Sequence, residues 1–387
     1  MALRFSIDHF CANLDKYADP GSTRRLGLIT NPSGVDSKLR STIDRLHETG
    51  RLAALFGPEH GVRGHFQAGE KVQAYRDPRT DLPVYSLYGD VRKPTEEMLT
   101  GIDALVFDLQ DVGCRFYTYL YTLLYALEAA REFKLPIIVL DRPNPLGGEI
   151  VEGNLLKKEY TSFVGYPIPI RYGLTIGEMA LYFNTIFEIK AELTVVPLDG
   201  WNRDDYRIEQ SISWVPTSPN VPKVDTAFVY PGTCLVEGTN LSEGRGTALP
   251  FEVVGAPFID GEVLTQALNG LDLPGVRFRS TSFTPTFSKH AGEQCQGVQV
   301  HVLDRVTYRP VKTGVRLIET VAQLYDQFAF LKPPAGGRRY FFDLLAGSDQ
   351  LRTLIAAGQP LDEMFSAWET QQEHFKAQSE PFRLYES

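Results

Sequence analysis

Four places in the chain set ionisable or amide side chains directly after short apolar runs. Glu59 and His60 follow Leu52-Ala-Ala-Leu-Phe-Gly57, where three glycines fall between residues 57 and 64. Asp108 and Asp111 follow the uncharged run Ala104–Phe107, with Gly113 and Arg115 close behind. Asp141, Arg142 and Asn144 close Pro136-Ile-Ile-Val-Leu-Asp141 and lie among prolines, and Asn31 sits between Thr30 and Pro32. Carboxylates at such spacing suit general acid–base work. Taken singly, each also reads as a turn or cap residue, with Arg115 pairing Asp108 or Asp111. For Asn31 and Asp141 alone the cap or turn is the better reading. Together they point to one site, because the strand ends of an open parallel sheet face a common crevice.

The elements that would hold these residues alternate in kind. Strands are expected at Leu26–Thr30, Leu52–Gly57, Pro83–Tyr88, Ala104–Phe107, Pro136–Asp141 and Leu193–Pro197. Helical spacing runs over Leu39–Thr49, Thr95–Gly101, Tyr117–Phe133 and Thr175–Ile186, after a leading helix and turn in residues 1–23. Uncharged strands read as buried on both faces. This alternation predicts an α/β fold with a doubly wound, mostly parallel sheet. Residues 201–260 lose periodicity and become rich in Pro, Gly, Thr and Asn. β-like runs at Val276–Arg279 and Gly297–Leu303, then helices at Gly314–Phe328 and Leu351–Ala357, predict a smaller α+β unit. We place the division at 1–250 and 251–387, with the 200–250 segment forming part of a cleft.

Composition narrows the chemistry. Of 387 residues 22% are charged and the net charge is −9, with no basic run, so nucleic acid is not an expected partner. No strand is followed by GxGxxG and no GxxxxGK[ST] occurs, so no nucleotide cofactor is indicated. The four cysteines have no CxxC spacing, which fits neither a disulfide framework nor a zinc site. There is no HExxH and no GxSxG. No apolar run is long enough for a membrane span. The first ten residues lack a signal-peptide core, so the chain as given reads as cytoplasmic; an exported form whose leader had been removed would look the same. The oligomeric state is not legible.

Several carboxylates with aromatics around them, and no motif that demands a metal, suit glycoside hydrolysis, in which one carboxyl donates a proton to the leaving oxygen and a second group serves water or the sugar. Glu59 is the expected general acid, because burial after a strand favours its protonated form, and His60 would orient it or bind substrate. The competing reading pairs Glu59 with Arg63. Asp108 and Asp111 are the candidates for the second group. Two rivals stand beside this reading. One is a non-catalytic binding protein on the same fold. The other is a metal-dependent hydrolase built on Asp108, Asp111 and His60.

The blocks Phe56-Gly-Pro-Glu59-His60-Gly-Val-Arg63-Gly64, Asp108-Leu-Gln-Asp111-Val-Gly-Cys-Arg115-Phe-Tyr117-Thr-Tyr119, Asp141-Arg142-Pro-Asn144-Pro145 and Glu237-Gly-Thr-Asn240-Leu-Ser-Glu243-Gly-Arg245 resemble the signatures of the exo-β-N-acetylmuramidase (NamZ) family. Phe283-Thr-Pro-Thr-Phe287-Ser-Lys289 and Cys295-Gln-Gly297 extend the resemblance toward the C-terminus. It implies a Rossmann-like N-terminal domain, a smaller C-terminal domain and a cleft between them. It implies removal of N-acetylmuramic acid (MurNAc) from non-reducing ends of peptidoglycan fragments, without metal or organic cofactor. The block residues Tyr117, Asp141, Asn144, Glu237, Asn240 and Glu243, together with Asn31, would then contact the saccharide. MurNAc carries a 3-O-lactyl carboxylate, and a planar guanidinium can bond both of its oxygens. Arg115, Arg142 and Arg245 are candidates for that role, with Arg63 less favoured. Arg115 leads because it lies just before the helix expected from Tyr117, whose N-terminus adds positive potential.

Overall fold

The computed structural model describes residues 3–17, 24–64, 74–162 and 165–386. Strands β1 (Leu26–Thr30), β2 (Leu52–Gly57), β3 (Tyr75–Arg76), β4 (Pro83–Ser86), β5 (Ala104–Asp108), β6 (Ile137–Leu140) and β7 (Leu193–Val196) form one sheet in the order β3-β4-β2-β1-β5-β6-β7. Every neighbouring pair is parallel except β3 with β4. Without that antiparallel edge the order is the doubly wound one, and the winding reverses between β1 and β5. Both of those strands are buried along their whole length. Their side chains alternate between two cores, as the pleat requires. Leu28, Val106 and Ile138 face one side with Phe10 and Ile43. Ile29, Phe107 and Val139 face the other with Leu120, Leu127 and Met179.

The helix after β5 runs Tyr119–Phe133, two residues later than its spacing suggests, because Thr118 occupies the N-cap. The helix Ile176–Ile186 starts with a capping box in which Thr175 and Glu178 bond each other's backbone. The helix expected over Thr95–Gly101 is a run of turns. The leading helix is realised as Ser6–Ala12 and Leu14–Tyr17, and the remainder of 1–23 lies partly outside the described residues.

Strands β8 (Val253–Ala256), β9 (Val276–Phe283) and β10 (Cys295–Val302) form a second, antiparallel sheet in the order β8-β10-β9. The aperiodic stretch contains an unexpected helix, Val224–Thr233, whose sequence signal is broken by Pro231 and Gly232 near its end. Gly232 is there for packing. A Cβ on it would come 2.0 Å from the carbonyl oxygen of Pro310, so this helix meets Pro310–Leu324 backbone to backbone. The larger core continues from Phe107 through Phe228 into Val254, Val298 and Val315 without a break.

Candidate active site

The chain leaves β2 through a tight reversal. A Cβ on Gly57 would lie 3.1 Å from both Gly61 Cα and Val62 N, and Gly61 N–H donates to Pro58 O at 2.9 Å. His60 takes φ +73°, a left-handed backbone that costs a non-glycine residue on the order of 1 kcal/mol or more and concentrates at functional sites. This turn presents Glu59, half-buried, to a pocket that also takes in the start of the Tyr119–Phe133 helix. Thr118 Oγ1 donates to Glu59 Oε2 at 2.9 Å. The Tyr88 hydroxyl faces the same carboxylate; burial and the Glu59 charge push the phenol up to about 12, so it keeps its proton. Arg63 does not pair with Glu59. Its fork closes on buried Asp77 at 2.9 and 2.9 Å, and that bond holds the Asp77 carboxyl down at about 2.

The same pocket is lined by a row of aromatic rings ending in an arginine. Tyr119 and Tyr117 meet edge to face at 4.9 Å, Tyr117 meets Tyr230 at 5.9 Å, and Tyr230 meets Phe251 at 4.8 Å. The Arg245 guanidinium lies 4.9 Å from the Phe251 ring centre. A third wall is the loop Ser218–Val221, tied down through Thr217. Tyr117 donates to Thr217 Oγ1 and Tyr119 to Thr217 O, each at 2.6 Å. The pocket is open to solvent, and about 430 Å3 of empty space, solvent included, lies between its walls.

The other strand ends do gather on this edge of the sheet, but they bond one another. Both Asp108 oxygens are taken by the Arg142 fork at 2.7 and 2.8 Å, with Thr42 adding a third bond, and Asp108 and Arg142 are buried. Asp111 accepts from the Tyr172 hydroxyl and from Gly113 N–H, and burial pushes its carboxyl up to about 7. Neither aspartate lines the pocket, so neither stands where a second catalytic group was expected. Asp141 accepts from Arg142 N, Gly177 N, Thr175 and Tyr385, which makes it a cap for the Ile176–Ile186 helix. Asn144 bonds Leu146 N and Leu174 O. Asn31 donates to the Tyr119 hydroxyl at 2.7 Å and to Thr217 O at 3.2 Å, so it supports the wall from behind. Among the described residues no three His, Cys, Asp or Glu side chains come together as a metal cluster, and the grouping of Asp108, Asp111 and His60 does not form.

Arg115 is the main displacement from the sequence reading. It is fully buried and donates to four carbonyls, those of Asn154, Ile168, Leu345 and Ala346, at 2.6–3.1 Å. It pairs with neither aspartate and does not reach the pocket. Burial lowers its pKa to about 10, so it remains charged at neutral pH.

Two family models cover nearly the whole chain: the N-terminal part of exo-β-N-acetylmuramidase NamZ matches residues 26–225, and its C-terminal part matches 228–385. The chain belongs to the NamZ family. It is 51% identical over 366 residues to the peptidoglycan β-N-acetylmuramidase NamZ of Bacillus subtilis (strain 168), covering 94% of this chain and 87% of that protein. Crystal structures of two DUF1343 family proteins from Bacteroides fragilis superpose on it. One has a TM-score of 0.89 at 38% identity, over 100% of this chain and 99% of the other. The second has 0.78 at 29%, over 100% of both.

The NamZ signature around residues 237–245 divides into wall and scaffold. Arg245 Nε donates to Glu237 Oε1 at 2.8 Å. Burial alone would lower the arginine's pKa, but Glu237, then Tyr230 and Glu243, hold its proton, and the net shift is upward. Glu243 is buried against Lys289 at 2.9 Å. Asn240 brackets a turn by bonding Gln327 O and Ala329 N, and does not line the pocket. Tyr88, Thr118 and the Ser218–Val221 loop were missed. The loop had a readable signal in Pro216-Thr-Ser-Pro219-Asn-Val-Pro222, where spaced prolines stiffen a polar turn. Tyr88 and Thr118 had none, since their partner Glu59 lies 29 residues or more away in sequence.

Proposed function

We propose that this NamZ-family protein is an exo-acting glycosidase that releases MurNAc from the non-reducing end of peptidoglycan fragments such as MurNAc-GlcNAc. The observation that carries the reading is the presence in one pocket of a carboxyl held by the Thr118 hydroxyl, Glu59, and an arginine on an aromatic wall, Arg245. The names of the family and of the B. subtilis relative supply the substrate class. Glu59 is the general acid that protonates the leaving glycosidic oxygen as the C1–O bond breaks, and water completes the hydrolysis. His60 lines the same pocket and contacts the sugar beside the acid. Arg245 bonds Glu237 through Nε, which leaves its two terminal nitrogens for the lactyl carboxylate. The rings of Tyr117, Tyr119 and Tyr230 give the pyranose an apolar face.

Incubation with MurNAc-GlcNAc tests the reading by the appearance of free MurNAc. The Glu59→Gln protein should fold and bind the disaccharide, with turnover lower by about 10²-fold or more. Near-normal turnover removes Glu59 from the acid role. Saturable binding by the native protein without release makes it a muropeptide-binding protein instead.

A further inference from the structure

The loop Ser218–Val221 carries to the pocket a polar group that the fold does not use. Asn220 lines the pocket and is 8% exposed, yet among the described residues its side-chain amide bonds no partner. The amide is not sealed in either, so the surface it keeps belongs to the pocket. A mostly buried amide without a partner is unfavourable and uncommon. The chain nonetheless holds this one in place. Pro219 precedes it and Pro222 follows two residues on. Thr217 is gripped by Tyr117 and Tyr119 at 2.6 Å each, Val221 N–H donates to Ser218 O at 3.1 Å, and Trp214 Nε1 donates to Val221 O at 3.3 Å. An unpaired amide on so constrained a turn is pre-organised for a ligand. Val221, the next residue, lines the same pocket with an apolar side chain.

We propose that Asn220 is the specificity-determining residue that reads the 2-acetamido group of the terminal MurNAc. The inference rests on the glycosidase reading. An acetamido group has an N–H to donate and a C=O to accept, both in one plane, and an asparagine amide answers the two at once. A single ring hydroxyl engages one end of such an amide at a time. The lactyl carboxylate suits Asn220 less, because the amide sets an acceptor oxygen beside its donor, and that anion is left to Arg245. Val221 gives the acetyl methyl an apolar surface next to the paired amides.

The test uses two sugars that differ only at C2, MurNAc and 3-O-lactyl-glucose, as competitive inhibitors of MurNAc-GlcNAc hydrolysis. The native protein should be inhibited by MurNAc at concentrations about tenfold lower than by 3-O-lactyl-glucose. Asn220→Ala and the nearly isosteric Asn220→Leu should each weaken inhibition by MurNAc about tenfold and leave that by 3-O-lactyl-glucose unchanged. The two sugars would then inhibit alike, and KM for MurNAc-GlcNAc should rise by a similar factor. Since the amide bonds nothing within the described chain, neither substitution should move the melting temperature. Equal weakening of both sugars, weakening of neither, or a native protein that does not distinguish them overturns the assignment while the glycosidase reading stands. So does a lowered melting temperature in both variants, which would make Asn220 part of the fold. A native protein that releases no MurNAc from MurNAc-GlcNAc overturns both.

Discussion

An arginine can read a ligand only where its own protein has not already used its donors. Arg115 and Arg245 look alike in sequence, each flanked by a glycine within two residues and each inside a signature block. In the fold Arg115 spends its terminal nitrogens on four main-chain carbonyls, whereas Arg245 keeps its terminal pair beside the pocket. Arg245→Ala is therefore expected to cost roughly 2–5 kcal/mol in kcat/KM on natural substrate, as for a desolvated charge pair. The cost should be much smaller on a substrate whose lactyl carboxylate is amidated. Equal loss on both substrates would show that Arg245 shapes the wall and does not read the lactyl group. Arg115→Ala should behave differently. It strands carbonyls in the core at about 1–3 kcal/mol each where they stay dry, so the melting temperature should drop with no dependence on substrate. The sequence showed which residues were chemically able. It did not show which donors were already taken, because Arg115's partners lie 39 to 231 residues away.

At the scale of elements the strands were legible, since a parallel strand buried on both faces is an uncharged run with polar ends. Their polar ends were also correctly sent to one edge. What could not be read was that this edge folds inward: Asp108 at the end of β5 and Arg142 just beyond β6 neutralise each other and seal the crevice where the winding reverses. The helix Val224–Thr233 stayed hidden for a related reason, because its Pro-Gly pair serves a helix contact 80 residues on. The Asp108–Arg142 pair is then a structural tie between strands. Asp108→Asn leaves the Arg142 guanidinium, 2% exposed, without its counter-charge, a change that costs about 3–5 kcal/mol for a buried pair. The variant should unfold at markedly lower denaturant, and the fraction that remains folded should turn over substrate near the native rate. A variant of native stability with turnover down 10²-fold would return Asp108 to the reacting groups.

Over the whole molecule the chain ends where it began, on the first sheet. Leu384 N–H donates to Glu178, Glu386 O accepts from Arg203 N–H, and the Tyr385 hydroxyl both accepts from Leu198 N–H and donates to Asp141. This tail covers a carboxyl that burial pushes up to about 7, with the Tyr385 bond opposing the shift and Glu178 adding to it. Asp111 is likewise at about 7. Between about pH 4, where an unfolded aspartate loses its proton, and about 7, Asp111 and Asp141 hold protons in the native state that they have released in the unfolded state, and burial shifts Glu152 and Asp343 in the same direction. Stability must therefore fall as pH rises through that window, by up to about 1.4 kcal/mol per unit for each group. Asp77, held at about 2, acts in the opposite sense and matters only below pH 4. Urea midpoints should thus be highest near pH 4–5 and decline toward pH 8. Asp111→Asn should remove part of the decline, because an amide does not titrate there and its oxygen can still accept from Tyr172 and Gly113. Tyr385→Phe should steepen the decline and carry it to higher pH, since Asp141 loses the bond that favours its charged form. A native protein whose urea midpoint rises steadily from pH 5 to pH 8 would show that these two carboxyls ionise normally inside the fold.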